Sequence, residues 1–388
     1  MRRIKILIIV LTSVFMFSIT GSRPLIPMYA EDLGAPNYLI GLIVALFSFL
    51  PLFLSVKLGK IVDESGSKKF LGISLLVGGI SLIFPFLFDN LVGVILSQIF
   101  AGLAHIVYVV AMQSFAGGFA EKEWREYFIN LFSISVALGS FLGPLVGGII
   151  AEVYGFSIAL LGGGVLLISM IPFVKWVEDH DEKTQTKEEK RKEKDFKLVG
   201  LFKIKSLQYA FLVSALILLA KDTYIAFFPL LARDYGINES MIGLIVSLNA
   251  AAGILIRLML PFLISHMNRR TIINSSILLS GVIFLLHPFI SSTFLLIVLS
   301  FILGIGLGIG QPLSIATTVE SLPSNKIGEG LGLRLTINRL TQLVTPVSLG
   351  GIASFVGIGG VFYFTGFIVV GGILVYFKKV GDSSRTSI

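Results

Sequence analysis

Long apolar segments alternate with short polar ones along almost the whole chain. A helix needs about 20 consecutive apolar residues to cross the hydrocarbon core of a bilayer. Twelve segments are of this kind, at approximately residues 4–30, 39–58, 70–88, 91–115, 127–151, 156–177, 206–232, 239–264, 272–290, 293–318, 328–354 and 357–377. The pattern predicts an all-α membrane protein with twelve transmembrane helices, numbered here as spans 1 to 12.

The composition supports lipid as the main solvent of the surface. Hydrophobic residues make up 55% of the 388 residues and charged residues 14%, whereas a soluble domain carries about 25% charged residues. The first segment also resembles a secretory signal peptide, because basic residues precede an apolar run and small residues follow it. We interpret it as span 1, since the second half of the chain contains a matching segment.

Basic residues are concentrated in alternate connections between the spans. One set of connections, together with the two termini, contains Arg2, Arg3, Lys5, Lys57, Lys60, Lys68, Lys69, Lys122, Arg125, Arg269, Arg270, Lys326, Lys378, Lys379 and Arg385. The other set contains a single basic residue, Arg233. By the positive-inside rule, this asymmetry predicts that both termini lie in the cytoplasm. It also accounts for the net charge of +8 without a nucleic-acid partner.

The chain contains a long internal repeat. Residues 27–46 and 229–248 are identical at ten of twenty positions, with an offset of 202 residues. The same offset relates Gly155 to Gly357. A constant offset at distant places indicates that the first half of the chain has been duplicated to form the second.

The duplication predicts two pseudo-symmetric bundles of six helices, residues 1–177 and 206–388. The charged segment 178–205 is predicted to be a solvated cytoplasmic linker between them. This layout resembles the major facilitator superfamily. The resemblance implies that the two halves rock about a central site, so that the site opens to each side of the membrane in turn.

The connection between spans 2 and 3, "GKIVDESGSKK", resembles the cytoplasmic signature of the same superfamily. The signature residues are Gly59, Asp63, Gly66, Lys68 and Lys69. The glycines permit a tight turn between helices. The carboxylate is placed to interact with helix N-terminal amides or with an arginine of the other half. The alternative is a simple positively charged turn.

Span 5 contains the segment "LGSFLGPLVGGII", with Gly139, Gly143, Pro144, Gly147 and Gly148. Small residues four positions apart let two membrane helices pack closely, and the proline is expected to bend the span. The pattern G-x-x-x-G-P-x-x-G-G resembles the signature of the drug:proton antiporter families of the superfamily. The resemblance implies a helix bend between the halves that disfavours leaks, and the alternative is generic helix packing.

Span 4 departs from the exporter pattern. Exporters of the superfamily usually have an arginine four residues before a glycine in this span, and it is thought to assist proton movement. Here Gln98 stands four residues before Gly102. The departure puts the usual arrangement for proton coupling in doubt.

Polar residues inside the spans are costly and therefore need a reason. In the superfamily, spans 1, 4, 7 and 10 line the central cavity. With neighbouring spans included, the candidates for the substrate and proton pathway are Arg23, His105, Gln113, Asp222, Tyr224, Asn249, Gln311, Asn338, Arg339 and Gln342. Arg257 and Arg334 lie nearer the cytoplasm, where their side chains can extend to the membrane surface.

Asp222 is the one acidic residue well inside a predicted span. It can serve as the group that gains and loses a proton, since burial raises the pKa of a carboxyl group. The alternative is a static ion pair with Lys221, Arg23 or Arg339.

The first functional hypothesis is export of small lipophilic compounds in exchange for protons, from the cytoplasmic membrane of a prokaryote. The second is uptake or exchange of a small metabolite, with anions among the candidates, and the third is a membrane sensor or scaffold. No Walker sequence and no cluster of metal-ligating or catalytic residues occurs, so we expect neither an enzyme nor a bound cofactor. We expect a monomer whose partners are the lipid bilayer, a small-molecule substrate and protons.

Overall fold

The structure is a computed structural model that describes residues 2–118, 122–177, 204–323 and 326–385. Within these ranges it contains only helices and their connections. The α-helices are α1 Arg2–Ser22, α2 Leu25–Asp32, α3 Asn37–Ser65, α4 Ser67–Leu87, α5 Leu91–Gly117, α6 Lys122–Tyr154, α7 Phe156–Ser169, α8 Lys205–Asp234, α9 Glu239–Leu258, α10 Leu260–His266, α11 Arg269–Leu286, α12 Thr293–Glu320 and α13 Ile327–Arg385. The predicted linker, 178–205, lies almost entirely outside the described residues.

Eleven segments of the described chain are long and apolar enough to cross a membrane. Predicted spans 11 and 12 both fall in α13, which has 59 residues. An unbroken helix of that length would measure about 90 Å at 1.5 Å per residue, about three times the hydrocarbon core. Gly357 lies inside α13 with a non-helical backbone, φ 74° and ψ 175°, and divides it into two helical segments.

The internal repeat is visible in the backbone. Gly155 and Gly357, related by the repeat, have φ values of 88° and 74°. Gly34 and Gly236 form a second related pair, with φ values of 79° and 75°. Residues with a side chain rarely adopt this left-handed region, so the repeated glycines give both halves the same turns.

Span 1 is broken where Arg23 lies. α1 ends at Ser22 and α2 begins at Leu25. Pro24 has no N–H group to continue the helical hydrogen bonds, and its ring clashes with the preceding turn. The break therefore sets Arg23 at a junction between two helical segments.

The predicted loop between spans 2 and 3 is shorter than the sequence indicated. We expected a connection from Gly59 to Lys69, but α3 continues to Ser65 and α4 starts at Ser67. The segment "KIVDES" contains no proline or glycine that would end the helix. The turn is made by Gly66 alone, at φ 85°.

The exterior of the bundle is apolar. Phe355, Leu258 and Phe289 are 90%, 74% and 74% exposed. Such side chains are compatible with contact with lipid tails rather than with water.

Candidate functional site

The glycine motif of span 5 joins α6 to α1 of the same half. A Cβ atom built on Gly139 would lie 2.5 Å from the carbonyl oxygen of Ser13, and one on Gly143 would lie 2.4 Å from that of Phe17. Both distances are shorter than real Cβ contacts. Only glycine therefore permits this approach of the two backbones.

The end of the same motif joins α6 to the second half. A Cβ on Gly148 would lie 2.5 Å from the carbonyl oxygen of Glu239, at the start of α9. A Cβ on Gly243 would lie 2.3 Å from the carbonyl oxygen of Pro144. The motif thus packs α6 on one helix of each half.

The repeat produces a second crossing of the same kind between α3 and α13. A Cβ on Gly41 would lie 2.2 Å from the carbonyl oxygen of Pro346, and one on Gly350 would lie 2.9 Å from Cα of Gly41. Gly41 and Gly350 are the repeat equivalents of Gly243 and Gly148. Two related glycine crossings therefore connect the halves.

Four charged residues connect the halves near these crossings: Glu31, Asp32, Arg233 and Glu239, called here the clasp. Arg233 Nη1 lies 3.0 Å from a carboxylate oxygen of Glu31 and 2.8 Å from one of Asp32, while Nη2 lies 3.5 Å from Glu239. This contact between the halves was not predicted from the sequence. The repeat held the signal, since Glu31 and Arg233 are equivalent positions with opposite charges.

Hydrogen bonds at the N-termini of α9 and α3 also connect the two halves. Glu152 of α6 accepts hydrogen bonds of 3.0 Å from Asn238 Nδ2 and from the Ser240 backbone N–H. At the equivalent place, Ser354 Oγ accepts a 3.1 Å hydrogen bond from the Tyr38 backbone N–H. A carboxylate at the start of α9 also interacts favourably with the helix dipole.

An ion pair joins the halves in the interior. Arg23 Nη2 lies 3.4 Å from Asp222 Oδ1, and Asp222 is 1% exposed. Its other oxygen, Oδ2, is buried and makes no hydrogen bond within the described chain. Lys221 and Arg339 also interact electrostatically with Asp222, so one carboxylate stands among three cations.

Aromatic contacts extend from this pair towards α5. The Arg23 guanidinium lies 4.8 Å from the ring centroid of Phe47. The Phe47 and His105 ring centroids are 5.4 Å apart. Gly102 lets α5 approach α3 here, because its Cβ would lie 1.9 Å from the Phe47 carbonyl oxygen. His105 is thereby placed near the ion pair.

A cavity of about 220 Å³ lies between α1, α6, α8, α9 and α12. Arg23, Tyr224 and Asn249 of the predicted set line it, and so do Lys221 and Arg257. Asn249 Nδ2 donates a 2.7 Å hydrogen bond to the Ser300 carbonyl oxygen. Residues of both halves therefore line the cavity, and Arg23 is part of its wall.

Other predicted residues form a separate polar cluster between α8, α12 and α13. Arg334 Nε donates a 3.1 Å hydrogen bond to Ser314 Oγ, and its Nη2 donates to Gln311. Ser214 Oγ donates a 2.6 Å hydrogen bond to Asn338 Oδ1. The expectation that Arg334 reaches the membrane surface is wrong: it is 3% exposed, because polar groups of the adjacent helices satisfy it inside the bundle.

Arg339 and Gln342 lie within interaction range of Asp222, whereas the other remaining predicted residues lie apart from it. Arg339 Nη1 donates a 3.0 Å hydrogen bond to Gln342, one turn away. Gln113 is exposed and does not line the cavity. Lys68 Nζ donates a 2.9 Å hydrogen bond to the Lys175 carbonyl oxygen. The side chain of Asp63 lies outside the described part of the chain.

The family model described as "Major Facilitator Superfamily" matches residues 8–220 and again residues 210–387. An uncharacterized MFS-type transporter of Methanocaldococcus jannaschii is 25% identical, over 92% of both chains. Multidrug resistance protein 2 of Bacillus subtilis is 21% identical, over 98% of this chain and 97% of its own. The quinolone resistance protein NorA of Staphylococcus aureus is 20% identical, over 92% and 91%. These matches confirm the resemblance that the glycine motif indicated.

Solved structures agree on the fold. A mutant of the nucleoside transporter NupG superposes with a TM-score of 0.82 at 14% identity, over 97% of this chain and 99% of its own. A bacterial homolog of the human lysosomal transporter Spinster gives 0.79 at 13% identity, over 96% and 95%. At these identities the likeness concerns the architecture alone.

Proposed function

The chain belongs to the Major Facilitator Superfamily, and we propose that it exports small, largely lipophilic compounds across the cytoplasmic membrane in exchange for protons. Its family and relatives are membrane transporters rather than enzymes. The direction of transport is supported by the relatives named for multidrug and quinolone resistance. A largely lipophilic cargo is supported by the apolar residues of the cavity wall, such as Val246 and Leu307.

The proposed architecture has twelve spans in two bundles, with both termini in the cytoplasm. The break at Gly357 supports two spans in α13, as do its match to Gly155 and the length of the helix. With this orientation, the clasp lies at the outer face. Since the clasp is formed, we assign the structure to an inward-facing state, from which rocking must separate both the clasp and the glycine crossings.

The observation that carries the proposal is the buried pair of Arg23 and Asp222, one residue from each half. A proton on Asp222 removes the negative charge and leaves Arg23 unpaired. Losing one partner of a buried ion pair costs about 3–5 kcal/mol. Moving a two-state equilibrium from 1:99 to 99:1 takes about 5.5 kcal/mol. One proton thus supplies most of the shift between states, and the binding of cargo supplies the rest.

The proposal is tested by growth of an efflux-deficient bacterial host on toxic lipophilic compounds, including a quinolone. We expect protection by the wild type and none by Asp222→Asn. Asp234→Asn is the matched control, because Asp234 is an exposed carboxylate at the end of the same helix. Protection by Asp222→Asn at equal membrane abundance would remove Asp222 as the coupling site, and no protection by the wild type would contradict export.

Uptake or exchange of a metabolite is the second candidate function. It is favoured by Gln98, which stands where exporters usually have an arginine thought to assist proton movement. Gln98 is 2% exposed, and its Nε2 makes no hydrogen bond to the described residues. Accumulation of a labelled metabolite in cells, with no protection against toxic compounds, would favour this function over export.

A further inference from the structure

The wall of the central cavity carries three cationic side chains, those of Arg23, Lys221 and Arg257. Arg23 lies at the junction of α1 and α2, while Lys221 belongs to α8 and Arg257 to α9, so three separate parts of the fold direct positive charge towards one space. No carboxylate is found among the described residues that line the cavity. Asp222 directly follows the cavity-lining residue Lys221 in the sequence, but it is buried behind the wall and paired with Arg23.

Two of these cations have no anionic partner in contact. Neighbouring residues of a helix point about 100° apart, so Lys221 is exposed towards the cavity while Asp222 is directed into the protein. Arg257 Nε donates a 3.0 Å hydrogen bond to the Gly308 carbonyl oxygen, which leaves its charge unneutralised. Within the described ranges, neither side chain forms an ion pair within 4.0 Å.

The two cations also repel each other, since Lys221 and Arg257 interact electrostatically across the cavity, and the one nearby carboxylate, Asp222, is shared between Lys221, Arg23 and Arg339. Unpaired charges of one sign are costly inside a membrane protein unless a ligand or water compensates them. An anionic group bound between them would replace repulsion by two charge-assisted interactions. The remaining wall, with Val136, Val246 and Ile254, suits an apolar body.

We propose that the cargo of this cavity is an amphipathic organic anion, in which a carboxylate or sulfonate is attached to an apolar body. The anionic group would contact Lys221 and Arg257, and the apolar body would lie against the aliphatic wall. This inference rests on the proposed transport function for its biological meaning. It concerns the charge of the cargo and not the direction of its movement.

The test compares three probes of nearly equal shape on the purified full chain in nanodiscs: 2-naphthoate, 2-naphthamide and 2-naphthylmethylammonium. We expect naphthoate to bind at least about tenfold more tightly than the amide, and the ammonium to bind most weakly. Lys221→Gln and Arg257→Gln should each weaken naphthoate binding by about tenfold and leave the amide unchanged. Lys221→Arg should retain naphthoate binding, and the exposed Lys175→Gln should behave as wild type.

Equal or tighter binding of the amide or the ammonium would overturn the inference, as would the absence of saturable naphthoate binding. Melting curves of each variant separate a loss of binding from a loss of folding. If one of the two variants, Lys221→Gln or Arg257→Gln, fails to fold, the other still tests the inference. Proton-driven movement of the same probes in proteoliposomes is measured separately. Export without a preference for the anion refutes the inference alone, whereas anion binding without proton-driven movement refutes the proposed function alone.

Discussion

A single methyl group at the crossing of α6 and α9 should shift the balance between the two states of the transporter. Gly243→Ala adds a Cβ atom 2.3 Å from the carbonyl oxygen of Pro144, and 3.2 Å from Cα of Gly148. Ordinary van der Waals contacts of a Cβ begin at 3.4 Å. Both close atoms belong to the backbone, so the helices must move apart by about 1 Å, since no side chain can rotate away.

The size of the shift between the two states follows from the cost of the overpacked methyl group in this structure, which is about 1–3 kcal/mol. The proposed outward-facing state separates this crossing and escapes the cost. A central value of about 2 kcal/mol changes the ratio of the two states by about 30-fold. The control is Gly351→Ala, since its Cβ meets nothing within 4 Å. Both changes carry the same helix-propensity gain of about 1 kcal/mol, so the difference between them isolates the clash.

The assay is the distance between spin labels on Val153→Cys and Phe355→Cys. These exposed positions are repeat equivalents on α6 and α13, beside the residues that hold the halves together. The chain has no natural cysteine, so labelling is specific. We expect Gly243→Ala to populate a longer distance that the wild type and Gly351→Ala rarely show. An unchanged distance distribution in a folded Gly243→Ala protein would refute the reasoning.

Further predictions concern the clasp, span 1 and the buried arginine. Arg233→Gln should lengthen the same distance less than Gly243→Ala, because a partly exposed ion pair contributes about 0.2–1 kcal/mol; equal effects would contradict this. Gly143→Leu should lower the melting temperature or prevent assembly, because the leucine side chain would collide with the Phe17 backbone. Gly162→Leu is the control and should leave the melting temperature unchanged, because a Cβ at Gly162 meets nothing within 4 Å. Arg334→Met should lower the melting temperature, because it leaves buried hydrogen-bonding groups without partners at about 1–3 kcal/mol each; an unchanged melting temperature would show that water replaces it.

Much of the fold is predictable because the bilayer leaves few alternatives. In lipid, each backbone polar group must be satisfied inside its own helix, so long apolar runs imply helices. The constant offset also predicts that Gly155 and Gly357 occupy equivalent turns, and their φ values agree within 14°. The offset could have pointed to the clasp as well, since Glu31 and Arg233 are equivalent positions of opposite charge that contact each other.

Side-chain surroundings were less predictable than helices. The sequence left Arg23, Lys221 and Arg339 as possible partners of Asp222, and the ion pair within 4.0 Å is with Arg23. Depth along a helix is readable from the sequence, but the rotation of the helix against its neighbours depends on packing. For this reason Arg334 was expected near the membrane surface, although adjacent helices enclose it.

The central claim is that Asp222 couples cargo to protons, and proteoliposomes test it most directly. Norfloxacin, a fluorescent quinolone, serves as cargo, and an internal pH dye reports proton movement. We predict that a proton gradient drives norfloxacin movement by the wild type and by Asp234→Asn. Asp222→Asn should exchange norfloxacin across the membrane without proton movement. Gradient-driven norfloxacin transport with matching proton movement by Asp222→Asn would contradict the claim.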